Sequence, residues 1–178
     1  MTIDRMPRRG SARVLRPAVY LVLLIAAQGL LSRLADAAAI AAPDLFLLTG
    51  AGLAWRVRPA WALVAAYLVG LLQDVLGGGM LGLHAAGVAG GALLVLVVRR
   101  YFSNSGPVQG LLTVLAAVLG EWLAFLALTY WLRSDLVTVP LLVRTVPVVF
   151  MGTLILAGVW ERCITWGLGP RSSPEDLT

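Results

Sequence analysis

Residues 70–86 read GLLQDVLGGGMLGLHAA. A carboxylate (Asp74), three consecutive glycines (Gly77, Gly78, Gly79), a further glycine (Gly82) and the only histidine (His84) are set between two long apolar runs. Glycine lacks Cβ and tolerates positive φ, so the chain can reverse sharply here. The flanking runs, residues 60–76 and 81–98, each approach the roughly 20 residues that cross a hydrocarbon core of about 30 Å at about 1.5 Å per residue. The stretch therefore predicts a helical hairpin inside a membrane, with the glycine turn at one surface.

Working outward, the whole chain agrees with that reading. Of 178 residues 60% are hydrophobic and 13% are charged, against about 25% charged in soluble domains. The length suits one compact unit. Apolar runs also cover residues 17–34, 37–55, 108–132 and 139–160. The second of these is the weakest, because Pro43 and Asp44 interrupt it and leave an apolar core of Leu45–Trp55. The expected organisation is a basic, disordered cytoplasmic tail (1–16), a six-helix transmembrane domain (17–166) and a polar, mobile cytoplasmic tail (167–178). A cleaved signal peptide is the competing account of the first run, with Ala37, Ala38 and Ala39 as small residues after it. The run is longer than a typical signal core, and five more apolar segments follow.

Arginine placement tests the second span. All fourteen basic residues are Arg. With six spans and a cytoplasmic N-terminus, eleven arginines lie inside, and only Arg33, Arg133 and Arg144 lie outside. Deleting the second span inverts every later loop and gives seven against seven. The positive-inside rule selects six spans with both termini inside. Arginines at the ends of apolar runs anchor helices, so the net charge of +5 does not point to nucleic acid. A single cysteine, Cys163, excludes an intrachain disulfide framework.

Ala62, Ala66 and Gly70 recur every four residues, as do Gly82, Ala86 and Gly90. Helices in lipid associate where small residues let backbones approach, so the third and fourth helices are expected to pack tightly on each other through these stripes. Asp74 continues the first stripe and should face the fourth helix. It either caps the free N–H groups at that helix's start, complementing the helix dipole, or anchors a ligand or partner chain. His84, in the first turn of the fourth helix, is expected to bond Asp74 and close the hairpin. One histidine without Cys, Asp or Glu at ligand spacing gives no metal site, and no cofactor motif is present.

Glu121 falls near the middle of the fifth segment, where an ionisable group is a functional hypothesis by default. Its expected partner is Arg144, early in the sixth helix and able to reach it by snorkelling; the alternatives are a protonated Glu121, or one that lines a cavity or contacts a partner helix. Pro140 and Pro147 are expected to kink the start of that helix. Trp55, Trp61, Trp131, Trp160 and Trp166 are expected at the membrane interfaces. No nucleophile–base pair, phosphate-binding loop with Lys or catalytic carboxylate pair exists in the sequence, so a non-enzymatic protein is expected.

The stretch GLLQDVLGGGMLGLHA resembles the signature region of the MreD family, bacterial rod-shape-determining membrane proteins, which reads approximately G-L-L-x-D-x-L-x-G-x-x-L-G-L-H-A. The matching residues are Gly70, Leu71, Leu72, Asp74, Leu76, Gly78, Leu81, Gly82, Leu83, His84 and Ala85. The preceding RVRPAWAL, the chain length and Pro43-Asp44 fit as well. The motif covers under a tenth of the chain. The resemblance implies a fold similar to the substrate-binding subunits of energy-coupling-factor (ECF) vitamin transporters, and a multi-pass place in the bacterial inner membrane. It implies a non-catalytic scaffold of the cell-elongation complex that binds the bitopic protein MreC. Through MreC it would reach RodA and its penicillin-binding protein, with the MreB cytoskeleton on the inner side. The competing class is the substrate-binding subunit of a vitamin transporter. That class carries small residues four apart on its first helix, and residues 17–34 have no Ala-x-x-x-Ala repeat. An ion channel would rest on Glu121 alone.

Overall fold

The computed structural model describes residues 11–78, 80–101, 106–132 and 139–172. The described chain is all helical: α1 (Ser11–Ala37), α2 (Leu45–Ala54), α3 (Pro59–Gly77), α4 (Leu83–Tyr101), α5 (Pro107–Trp131) and α6 (Val139–Leu168). Five of the six, all but α2, are long and apolar enough to cross a membrane. Large apolar side chains such as Val22, Leu68, Leu123 and Ile155 stand exposed on their outer faces, as a bilayer solvent requires.

The short helix α2 is the centre of the molecule. Nine of its ten residues are buried, and each of the other five helices packs against it. Leu45, Leu47 and Leu48 meet Tyr20 and Leu24 of α1, Val88 and Val95 of α4, Val114 and Val118 of α5 and Ile164 of α6 in one core. Thr49 is the polar pin of that core. Its hydroxyl donates to the Leu45 carbonyl (2.8 Å) and accepts from the Tyr20 hydroxyl (2.6 Å) and the Trp160 indole (3.3 Å).

Of the second span expected over residues 37–55, only the part after the Pro43-Asp44 interruption is helical, as α2. Ten helical residues reach about 15 Å at 1.5 Å per residue, half the hydrocarbon thickness. Pro43 and Asp44 decide this, because Asp44 starts the helix as its N-cap, with extended backbone (φ −103°, ψ 104°) and its carboxylate accepting from the Leu47 N–H. Irregular backbone at membrane depth survives only when protein satisfies it. Here Gln28 of α1 donates to the Pro43 carbonyl (3.1 Å) and accepts from the Leu45 N–H (2.9 Å). The Asp44 N–H donates to the Thr153 hydroxyl (3.2 Å).

Other boundaries shift as well. Helix α1 begins at Ser11, inside the expected disordered tail, and α6 continues to Leu168. The C-terminal tail is docked as far as it is described. Ser172 bonds the Trp55 and Arg56 carbonyls through its N–H (3.2 Å) and hydroxyl (3.0 Å). Pro147 lies inside α6, whereas Pro140 falls in the first turn, where its missing N–H has no partner to lose. Trp61, Trp131 and Trp166 are exposed, but Trp55 and Trp160 are core residues.

Candidate functional site

The residues at the glycine turn interlock. Gly70 of α3 lies directly on the backbone of α4, so that a Cβ built on it would stand 2.5 Å from the His84 carbonyl oxygen and 2.6 Å from Ala85 Cα. One turn further on, the side chain of Asp74 is fully buried and serves α4 as a cap donated from a neighbouring helix. Its two oxygens accept from the N–H groups of Gly82 (2.8 Å), His84 (2.9 Å) and Ala85 (3.1 Å). A fourth bond joins Asp74 Oδ1 to His84 Nδ1 at 2.9 Å. Orphan amides at a helix start and the positive end of its dipole make this the natural place for a buried carboxylate.

The turn that permits this geometry needs glycine at two described positions. Gly78 (φ +63°) closes α3 in the left-handed region, its N–H donating to the Asp74 carbonyl, and Gly82 takes φ +97°. A Cβ on Gly77 would meet nothing. Gly79 lies outside the described residues. With four donors on its two oxygens, Asp74 has no remaining capacity to act as a base or to bind a cation. His84 is different: its side chain is 37% exposed, and its Nε2 has no hydrogen-bond partner among the described residues. Its ring also packs edge-on against Phe125 of α5, 5.8 Å between centroids.

The first small-residue stripe is buried as expected: Ala62, Ala66 and Gly70 run along the inner side of α3 into Asp74. The second is corrected. Gly90 packs on α5 rather than α3, where a Cβ would stand 2.7 Å from the Gly120 carbonyl oxygen and 2.9 Å from Ala124 Cβ. Gly120 in turn lies against the backbone of Gly90 and Gly91. Ala86, one turn earlier, is half-buried. The residues of α4 that set the hairpin contact are His84 and Ala85, because helical rotation points Gly90 to the other side.

The expected Glu121–Arg144 pair does not form. Glu121 is buried against α4, with its Cγ 3.1 Å from where a Gly87 Cβ would stand. Arg144 is exposed, and no ion pair joins the two among the described residues. Counting depth along two helices fixed their heights but not their azimuths, and Glu121 points across α5 to α4 rather than to α6.

Two polar clusters were missed. Asp44 accepts from Leu47 N–H and, through Oδ2, from Gln73 Nε2 at 2.8 Å. Consecutive residues of α3 therefore hold two helix starts, Gln73 that of α2 and Asp74 that of α4. An Asp directly before an apolar run is an N-cap signal, which the sequence offered at Asp44. At the opposite end, Arg56 is buried and donates four bonds: to the carbonyls of Gly169 (2.7 Å) and Gly52 (2.9 Å), to Glu161 (2.7 Å) and to the Thr165 hydroxyl (2.9 Å). Arg99 donates to the Ala54 carbonyl at the same end. The available signal was Glu161, an isolated carboxylate among the arginines of that end.

Comparison with protein-family models, with curated proteins and with solved structures finds no match to the chain.

Proposed function

We propose that the chain is an MreD-type subunit of the bacterial cell-elongation complex, a non-catalytic scaffold of the inner membrane that holds the transmembrane helix of MreC. Through MreC it would couple to RodA and its penicillin-binding partner, with MreB below. The observation that carries this reading is the interlocking of the resembling residues. Gly70, Asp74, Gly82, His84 and Ala85 contact one another in a single cap. A motif whose members all serve one rigid turn suits a docking surface better than a reaction centre, since its one carboxylate is consumed by backbone amides.

In this reading the chain crosses six times, with both ends inside and a fold similar to the ECF substrate-binding subunits. The second crossing combines α2 with residues 41–44 before it, since residues 38–40 form a turn on the end of α1. Four residues at up to about 3.3 Å each and a helix of about 15 Å together come to about 28 Å, close to the roughly 30 Å core. Arg56, Arg99 and Arg171 gather at one end of the bundle, which supports placing that end in the cytoplasm.

Gly78→Val and Gly82→Val test the proposal, because each puts a β-branched residue at positive φ. The expected result is normal insertion, measured by membrane fractionation, with most of the co-purifying MreC lost. Undiminished MreC recovery from both variants overturns the reading.

A further inference from the structure

A cavity of about 240 Å³ lies at the arginine-rich end between α2, α5 and α6. Its walls are apolar, with Leu48 and Trp55 from α2, Val114 from α5 and Ile164 from α6. Two further lining residues, Gly110 of α5 and Gly158 of α6, have nothing within 4 Å of where a Cβ would stand. Glycines on two different helices thus leave the space open. Exposed Val108, Leu111, Ile155 and Val159 occupy the neighbouring turns of α5 and α6, so the cavity lies beside apolar outer surface.

Besides Thr113, its polar residues are charged and unequal. Glu161 Oε1 accepts from Arg56 at 2.7 Å and from Arg171 at 3.0 Å. Two guanidiniums share one carboxylate, which leaves one positive charge in excess. Arg56 is spent on four bonds within the fold. Arg171 is held in place by Glu161, by Gln109 (3.3 Å) and by the Trp55 ring, 5.3 Å below its guanidinium carbon. It is about one-third exposed, and its Nη2 donates to no described residue.

We infer that this cavity is a binding site for one anionic phospholipid, an acyl chain lying against the apolar wall and the phosphate meeting Arg171. The inference rests on the chain spanning a membrane and is independent of any partner protein. A basic pocket between transmembrane helices recognises anionic headgroups by charge and packs the chain by shape. The volume suits a chain rather than a helix, whose diameter with side chains is about 10–12 Å. Free phosphate satisfies Arg171 but leaves the apolar wall empty.

The test is native mass spectrometry of the full-length protein from mild detergent, with phosphatidylglycerol and phosphatidylcholine of matched chains as probes. The wild type is expected to retain one phosphatidylglycerol about tenfold more tightly than phosphatidylcholine, a difference of about 1.4 kcal/mol. Gly158→Leu fills the cavity, suits a helix better than glycine, and is expected to lose both lipids. Gly110→Leu fills it from the facing helix and gives the same loss if Gly158→Leu does not fold. Arg171→Gln keeps chain binding and brings the preference close to one. Equal retention of the two lipids by the wild type, undiminished lipid in both filled variants, or displacement of the lipid by inorganic phosphate each overturns the inference. MreC recovery, measured on the same samples, reports separately on the scaffold reading.

Discussion

At one end of the bundle a single carboxylate, Asp74, accepts four hydrogen bonds. At the other a single guanidinium, Arg56, donates four. The two differ in what they join. Every partner of Asp74 lies within eleven residues of it, across one tight turn. Arg56 reaches Glu161, Thr165 and Gly169, at separations of 105, 109 and 113 residues. Asp74 fixes the shape of a hairpin that a short connection already brings together. Arg56 joins α2 to α6 and the tail, elements with no chain proximity, so it replaces a constraint the backbone does not supply. One ion sets local geometry and the other sets global assembly.

That contrast can be broken by removing each ion. Arg56→Met keeps an apolar stem but strands the Gly169 carbonyl, leaves the Gly52 carbonyl with the Trp55 N–H alone and removes half of the Glu161 pairing. We expect the largest loss, about 3–5 kcal/mol as for breaking a buried ion pair, measured by thermal unfolding in detergent. Release of the tail should raise protease access at residues 169–172. Unchanged stability would show that Arg171 and Glu161 suffice to hold that end. Asp74→Ala is expected to cost less, about 2–3 kcal/mol, because water at the surface partly replaces the lost acceptor. Hydrogen exchange should accelerate at Gly82, His84 and Ala85 and stay slow in α2. If α2 amides exchange faster too, the hairpin is not a local device.

The same distinction explains which parts of the structure could be read from the chain. Five long helices, the capped hairpin and the burial of Ala62, Ala66 and Gly70 follow from composition, from glycine and from spacing along one helix, all of which are local. Asp44 was visible as an interruption, but its role as the start of a half-length helix depends on Gln28, Gln73 and Thr153, which come from three other helices. The Arg56 cluster was hidden for the same reason. The Glu121–Arg144 expectation failed because sequence gives depth along a helix and not the side of the bundle to which a residue turns. Gly90 was misassigned by the same missing rotation.

Gly70→Ala probes the hairpin at its closest approach without touching an ion. The added methyl meets backbone at 2.5–2.6 Å, which no rotamer change relieves, so α3 and α4 must separate. Overpacking of this kind costs about 1–3 kcal/mol. The sharper reading is coupled to Asp74: if separation stretches the cap, the double variant Gly70→Ala with Asp74→Ala loses less than the sum of the single losses. Additive losses would mean that the close approach and the cap are independent.

The smallest effect is expected at Glu121, which is neither kind of ion. It is buried at the middle of α5, and no described residue hydrogen-bonds to it. A carboxyl group taken out of water without a partner contributes nothing to the fold and has a desolvation cost. Glu121→Gln keeps the volume and the unmet hydrogen-bonding capacity while excluding the ionised form, so stability should stay level or rise by about 1 kcal/mol, read in the same thermal assay. A loss of more than about 2 kcal/mol, the range for stranding a satisfied buried polar group, would reveal a partner for Glu121. A neutral result joined to a loss of the proposed MreC binding would instead make Glu121, beside Gly87 and Phe125, part of the proposed docking surface. In that case the carboxylate is kept for what it meets on assembly, while Asp74 and Arg56 are kept for what they meet on folding.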